Sequence, residues 1–181
     1  MTDELLWNVL GYVCLPAWLL AGLVDFWSHR RTDIPHTSGV RESMLHLAQL
    51  TQIGIPTLIV LFLDLNALTL TLVAAFAVVH TGTAYWDLRY TMDRRRIEPV
   101  EQMAHAFLIT LPLFATGILA LLWWPDRPHA SGAATFNLAW RADPFAPSSI
   151  VAVLAASLLL GLLPALAELR QTLRARLPSR R

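Results

Sequence analysis

Five histidines fall close to carboxylates along the first two-thirds of this chain. Asp25 and His29, Glu42 and His46, and Glu101 and His105 are each four residues apart. His80 and Asp87 are seven apart, and His36 lies between the first two pairs. Offsets of four and seven return to the same face of an α-helix, so each pair aims an imidazole and a carboxylate in one direction. Helix-bundle metal sites use this stacking. Asp25, His29, His36, Glu42, His46, His80, Asp87, Glu101 and His105 are therefore candidate metal ligands. Nine candidates exceed the four ligands of one zinc, so two metal ions with bridging carboxylates are expected. Imidazole mixed with carboxylate, without thiolate, suits iron, with zinc and manganese as alternatives.

The elements that must position these residues are membrane helices. Of 181 residues 55% are hydrophobic, and the mean hydropathy is +0.49, too apolar for an ordinary soluble domain. The expected fold is all-α and integral to the membrane, a single domain over residues 1–181. Five spanning helices are expected at about 5–30, 39–63, 67–93, 99–124 and 148–172. The first four should form the metal-binding bundle from two similar hairpins, with an external loop over 125–147 and a basic tail over 170–181. Both ascending helices open alike, Glu42-Ser-Met-Leu-His46 and Glu101-Gln-Met-Ala-His105, and both then reach a proline, Pro56 and Pro112. The likeness suggests a degenerate internal repeat with two facing half-sites. The fifth helix has no ionisable residue before Glu168 and is expected to pack outside the bundle.

All fourteen basic residues are arginine, and twelve lie in the first turn, the third turn or the tail. The positive-inside rule then places the N-terminus outside and the tail in the cytoplasm, as in a bacterial-type inner or plasma membrane. It sets the histidines at the cytoplasmic membrane face. Topology accounts for the arginines, so nucleic acid is not an expected partner. The acidic start MTDELLW reads as a retained helix rather than a cleaved signal. Cys14 is the only cysteine and reads as a packing residue, while His129 reads as a solvated loop residue.

Bland alternatives exist for each feature. Glu42 and Glu101 sit where a carboxylate favours a helix N-terminus. Glu98, before Pro99, reads as a cap or a reserve ligand. Thr37-Ser38-Gly39 offers caps for the second helix. Tyr85 and Tyr90 flank Asp87 as candidate catalytic residues, or as interfacial aromatics. Arg94, Arg95 and Arg96, with Glu98, are candidates to support the metal ligands from behind or to contact the substrate, the arginines through a substrate anion or an anionic lipid headgroup. No nucleotide loop, serine elbow or flavin-type glycine motif appears.

With these residues the chain resembles, in its motifs alone, the integral-membrane non-haem di-iron oxygenases and hydroxylases. The similarity is a polar ligand cluster at the cytoplasmic ends of membrane helices. It is also similar to soluble four-helix di-iron proteins in pairing Glu with His. It departs from the first group in lacking HxxxH and HxxHH boxes, and from the second in using Glu-x-x-x-His rather than Glu-x-x-His. The resemblance implies an oxidoreductase acting on a lipid-like substrate, fed by a separate electron donor. The alternatives are a membrane zinc hydrolase of lipid amides or esters, with Glu42 or Glu101 as general base, and a non-enzymatic haem or metal-binding membrane protein.

Overall fold

A computed structural model describes residues 2–124 and 136–176. Five helices in it are long and apolar enough to cross a membrane. They are α1 (Asp3–Arg31), α2 (Val40–Phe62), α3 (Ala67–Met92), α4 (Pro99–Trp123) and α5 (Pro147–Ala175). No strand occurs among the described residues; the one β-type pairing is an isolated bridge between Leu63 and Trp140.

The helix ends follow local chemistry. Pro99 opens α4, where its missing N–H costs nothing. Asn66 caps α3 through a capping box, accepting from the Leu68 and Thr69 backbone while Thr69 accepts from its own N–H. The α1–α2 turn contains a short 3-10 helix, Ile34–His36, and α2 starts at Gly39, whose φ of 68° suits glycine. No side-chain cap forms there, so Thr37 and Ser38 do not serve as the capping groups expected.

Two helices widen into a π turn just ahead of a proline, Leu10–Cys14 before Pro16 and Ser157–Leu162 before Pro164. Leu15 and Leu163 donate back five residues, to Leu10 and Leu158. The wider turn relieves the clash between a proline ring and the carbonyl four residues earlier.

The core is divided by depth. Toward the α2–α3 turn it is apolar, built on Leu6, Cys14, Val73, Ile118, Leu119 and Leu122. At the arginine-rich end it is polar, with Asp25, His29, Glu42, Asp87, Arg95, Glu101 and Glu168 all buried. The described part of the α4–α5 connection docks by polar contacts on the α2–α3 turn. Asn66 donates to the Asn137 carbonyl, Asp64 accepts from the Ala142 N–H, and Arg141 donates to the Val60 carbonyl. Arg127, His129, Arg180 and Arg181, with the other residues of 125–135 and 177–181, lie outside the described residues.

Helix packing corrects one expectation. α1 packs on α4 and α2 on α3, while α3 and α4 pack together. α5 lies against both α1 and α2 and against the Ile34–His36 turn. The fifth helix is thus part of the bundle around the polar core rather than an outer wall. Its sequence hides this, because Glu168 is the first ionisable residue along an otherwise apolar helix.

Candidate metal centre

Three histidines reach the polar core from three helices. His29 on α1 is 2% exposed, and His46 on α2 and His105 on α4 are half-buried beside it. Asp25 Oδ1 lies 3.3 Å from His29 Nε2 and 2.9 Å from His105 Nε2, and His29 Nε2 lies 3.4 Å from Glu101 Oε1. These four residues present ligand atoms to one another within 4.8 Å. A second group joins Glu42, His46 and Asp87, with His46 Nε2 at 3.1 Å from Asp87 Oδ2. Glu42 Oε1 lies between the groups, 3.9 Å from both His29 Nε2 and His46 Nε2.

These contacts are close without being hydrogen bonds. Asp25 Oδ1, His29 Nε2, His46 Nε2 and Asp87 Oδ1 are buried and have no hydrogen-bond partner among the described residues. Buried polar atoms are nearly always partnered, so several orphans within one cluster point to a missing shared partner.

The opposite edges of two imidazoles are fully committed. Glu168 Oε2 lies 2.7 Å from His29 Nδ1, and Glu168 Oε1 lies 2.8 Å from His46 Nδ1. Both rings stack, with centroids 4.5 Å apart and planes 8° apart. Glu168 is the cluster residue that helix spacing misses, since no histidine lies near it on its own helix. Its only sequence signal is a carboxylate near the C-terminal end of an apolar helix.

Of the two roles expected for Arg95, the geometry fits support of the candidate ligands rather than contact with a substrate anion: it is buried in the α3–α4 turn and donates to Glu42 and Glu101 together. Burial alone would lower its pKa, but hydrogen bonds to Glu101 and Glu42 outweigh that and hold the guanidinium above its ordinary range. Arg94 instead lies over the Tyr90 ring, and Arg96 is exposed.

Other expected residues fall outside the cluster. His36 is exposed and bonded to Asp33, because the 3-10 turn carries it out to the surface. His80 is buried two turns deeper, and its Nε2 donates to the Leu108 carbonyl. Asp87, seven residues on, pairs instead with His46 and accepts from Gln49, so the His80–Asp87 pairing does not form. Tyr85 points to the surface, and Tyr90 donates to the Ser38 carbonyl, bracing the turn. Neither tyrosine enters the cluster. Glu98 is exposed at the head of α4 and makes no capping hydrogen bond.

A cavity of about 90 Å³ adjoins the cluster. Asp25, His29, His46 and Glu168 form its polar end, and its walls include Trp18, Leu19, Leu50, Leu160 and Pro164. His80 also lines it, which places that histidine near the site although not within either ligand group. No family model, curated protein or solved structure matches this chain.

Proposed function

We propose that this chain is a membrane-embedded di-metal oxidoreductase, with iron as its metal, acting on a lipid-like substrate at the cytoplasmic membrane face. The observation that carries the reading is the close approach of histidine nitrogens and carboxylate oxygens, several of them unpartnered, in three overlapping groups. For metal–ligand bonds of about 2.1 Å, neighbouring ligands sit about 3.0 Å apart in an octahedron and about 3.4 Å apart in a tetrahedron. The separations of 2.9, 3.3 and 3.4 Å around Asp25 and His29 match such polyhedron edges.

Charge supports two ions rather than one. Asp25, Glu42, Asp87, Glu101 and Glu168 are five buried carboxylates against the single guanidinium of Arg95. With neutral imidazoles four negative charges remain, which two divalent cations balance. Burying that charge uncompensated is prohibitive. Rings stacked 4.5 Å apart also suit paired ions, which sit about 3.5–4 Å apart in two-metal sites.

Iron held by this set would supply the oxygen-dependent redox chemistry. The chain's own residues bind and orient: the cavity admits an apolar chain end from the bilayer and keeps bulk water out. Its mostly apolar walls, Trp18, Leu19, Leu50, Leu160 and Pro164 among them, suit a hydrocarbon chain better than a charged headgroup. Electrons come from a separate donor, since no flavin or nucleotide motif is present. The arginine bias supports a cytoplasmic site and an external N-terminus.

Elemental analysis of gently purified protein, paired with oxygen uptake in the presence of a reductant, tests the reading. Two irons per chain with uptake are expected. Zinc alone, with no uptake after iron loading and with chelator-sensitive cleavage of a lipid amide, would replace it with the hydrolase reading.

A further inference from the structure

We infer that Glu168 is the positioning residue of this centre: it holds His29 and His46 in the one tautomer that presents both Nε2 atoms to metal. The inference rests on reading the cluster as a metal site, but not on oxidative chemistry.

A neutral imidazole has one N–H and one lone pair, and the partner of one nitrogen decides what the other can do. Glu168 accepts from Nδ1 of both rings, one oxygen to each, at 2.7 and 2.8 Å. Both nitrogens therefore carry the proton on the Glu168 side, and both Nε2 lone pairs turn toward the remaining carboxylates. One carboxylate gripping two Nδ1 atoms also accounts for the parallel rings. The lengths are those of charge-assisted hydrogen bonds and are shorter than the ligand-edge separations on the Nε2 side. Glu168 with His29 and His46 also forms a third group compact enough to hold an ion, but hydrogen-bond lengths to both Nδ1 atoms assign Glu168 to orientation rather than to the metal itself.

α5 is seated against its neighbours on both sides of Glu168. One turn beyond it, Thr172 donates to Ser43 on α2 at 3.3 Å, and both residues are fully buried. Two turns before it, Gly161 lets α5 approach closely: a Cβ there would meet Leu50 Cδ1 at 3.1 Å and Leu19 Cδ2 at 3.6 Å. Carboxylates behind ligating histidines raise their basicity and fix the ring, and losing one typically lowers metal affinity about 10–100-fold.

The full-length protein loaded with zinc, a diamagnetic probe, allows histidine ring nitrogens to be read by NMR alongside zinc affinity. Wild type should show two histidines with Nδ1–H and zinc on Nε2. Glu168→Gln keeps the shape but offers one acceptor and one donor. It should disturb one Nδ1–H signal and weaken zinc binding about 10–100-fold. Glu168→Asp should recover part of the loss. Wild-type signals and affinity in Glu168→Gln would overturn the inference, leaving Glu168 a packing residue. Loss of one whole zinc with both Nδ1–H signals intact would overturn it too, making Glu168 a ligand. Wild type that binds zinc as described but never consumes oxygen would sink the oxidoreductase reading and leave this inference standing. Wild type that binds no zinc or iron would end both.

Discussion

His29 and His46 lie on different helices, yet their rings are stacked 4.5 Å apart and within 8° of parallel. The stack sets two Nε2 atoms side by side, each with its own oxygens. Asp25 and Glu101 flank the first, and Asp87 flanks the second, with Glu42 equidistant from both. The halves cross the chain's hairpins: α1 and α4 supply one, α2 and α3 the other.

If each half holds one ion, removing a ligand from one half should spare the other. His105→Ala is expected to leave about one metal per chain, and Asp87→Ala likewise, while the double variant retains almost none. Metal-to-protein ratios from elemental analysis measure this. Complete loss from either single variant would mean a single shared ion.

Arg95 is expected to matter most when metal is absent. Removing one partner from a buried ion pair usually costs about 3–5 kcal/mol, because the charge left behind has no water. Arg95→Met leaves Glu42 and Glu101 without their shared donor. Thermal unfolding in detergent should show a large loss for the metal-free variant, and added zinc should restore more stability to it than to wild type. Equal shifts in both proteins would show that Arg95 and the metal do not share these carboxylates.

The pairs at helix spacing were legible because neighbouring turns fix the relative direction of both side chains before any tertiary contact forms. Asp25 and His29, and Glu42 and His46, came together for that reason. The five spans were legible from length and hydropathy alone. Contacts that cross between helices were not. Nothing local to Glu168 shows that α5 leans between α1 and α2, and nothing local to Arg95 shows that its turn folds inward. His80 and Asp87 share a face, yet two turns of rise separate them by about 10 Å, so each finds partners at its own depth.

Glu98 and Glu101 separate surface from site within one helical turn. Glu98 is exposed and caps nothing through its side chain, whereas Glu101 is 0% exposed and bonded to Arg95. Glu98→Ala should retain metal and change stability by less than the roughly 0.5–2 kcal/mol typical of a lost cap. Glu101→Ala should lose the ion of its own half, and Glu42→Ala, whose carboxylate lies between the halves, should lose metal from both. His36→Ala should behave like Glu98→Ala, since that side chain is 70% exposed. Equal retention in all four variants would mean that the buried glutamates serve only the Arg95 ion pair.

The cavity predicts a variant that keeps its metal and loses its substrate. Gly161 sits in the π turn of α5 where the helix passes closest to Leu50 and Leu19, and it lines the cavity with them. A Cβ there is already tight against Leu50, at 3.1 Å, although the contact is with the end of a movable side chain. Gly161→Ala should therefore be tolerated after a small shift. Gly161→Leu adds a branched side chain that must occupy the space between α5, α1 and α2. Overpacking of this kind usually costs about 1–3 kcal/mol, which a five-helix bundle can absorb while remaining folded. None of the Nε2 or carboxylate atoms of the cluster moves as a necessary consequence, because Gly161 lies two turns from Glu168. Metal content should stay near the wild-type ratio while binding of a single-chain lipid in detergent micelles falls sharply. Unchanged lipid binding in Gly161→Leu would place the substrate's approach elsewhere on the bundle. Loss of metal together with lipid would instead show that α5 cannot be displaced at Gly161 without pulling Glu168 off both histidines.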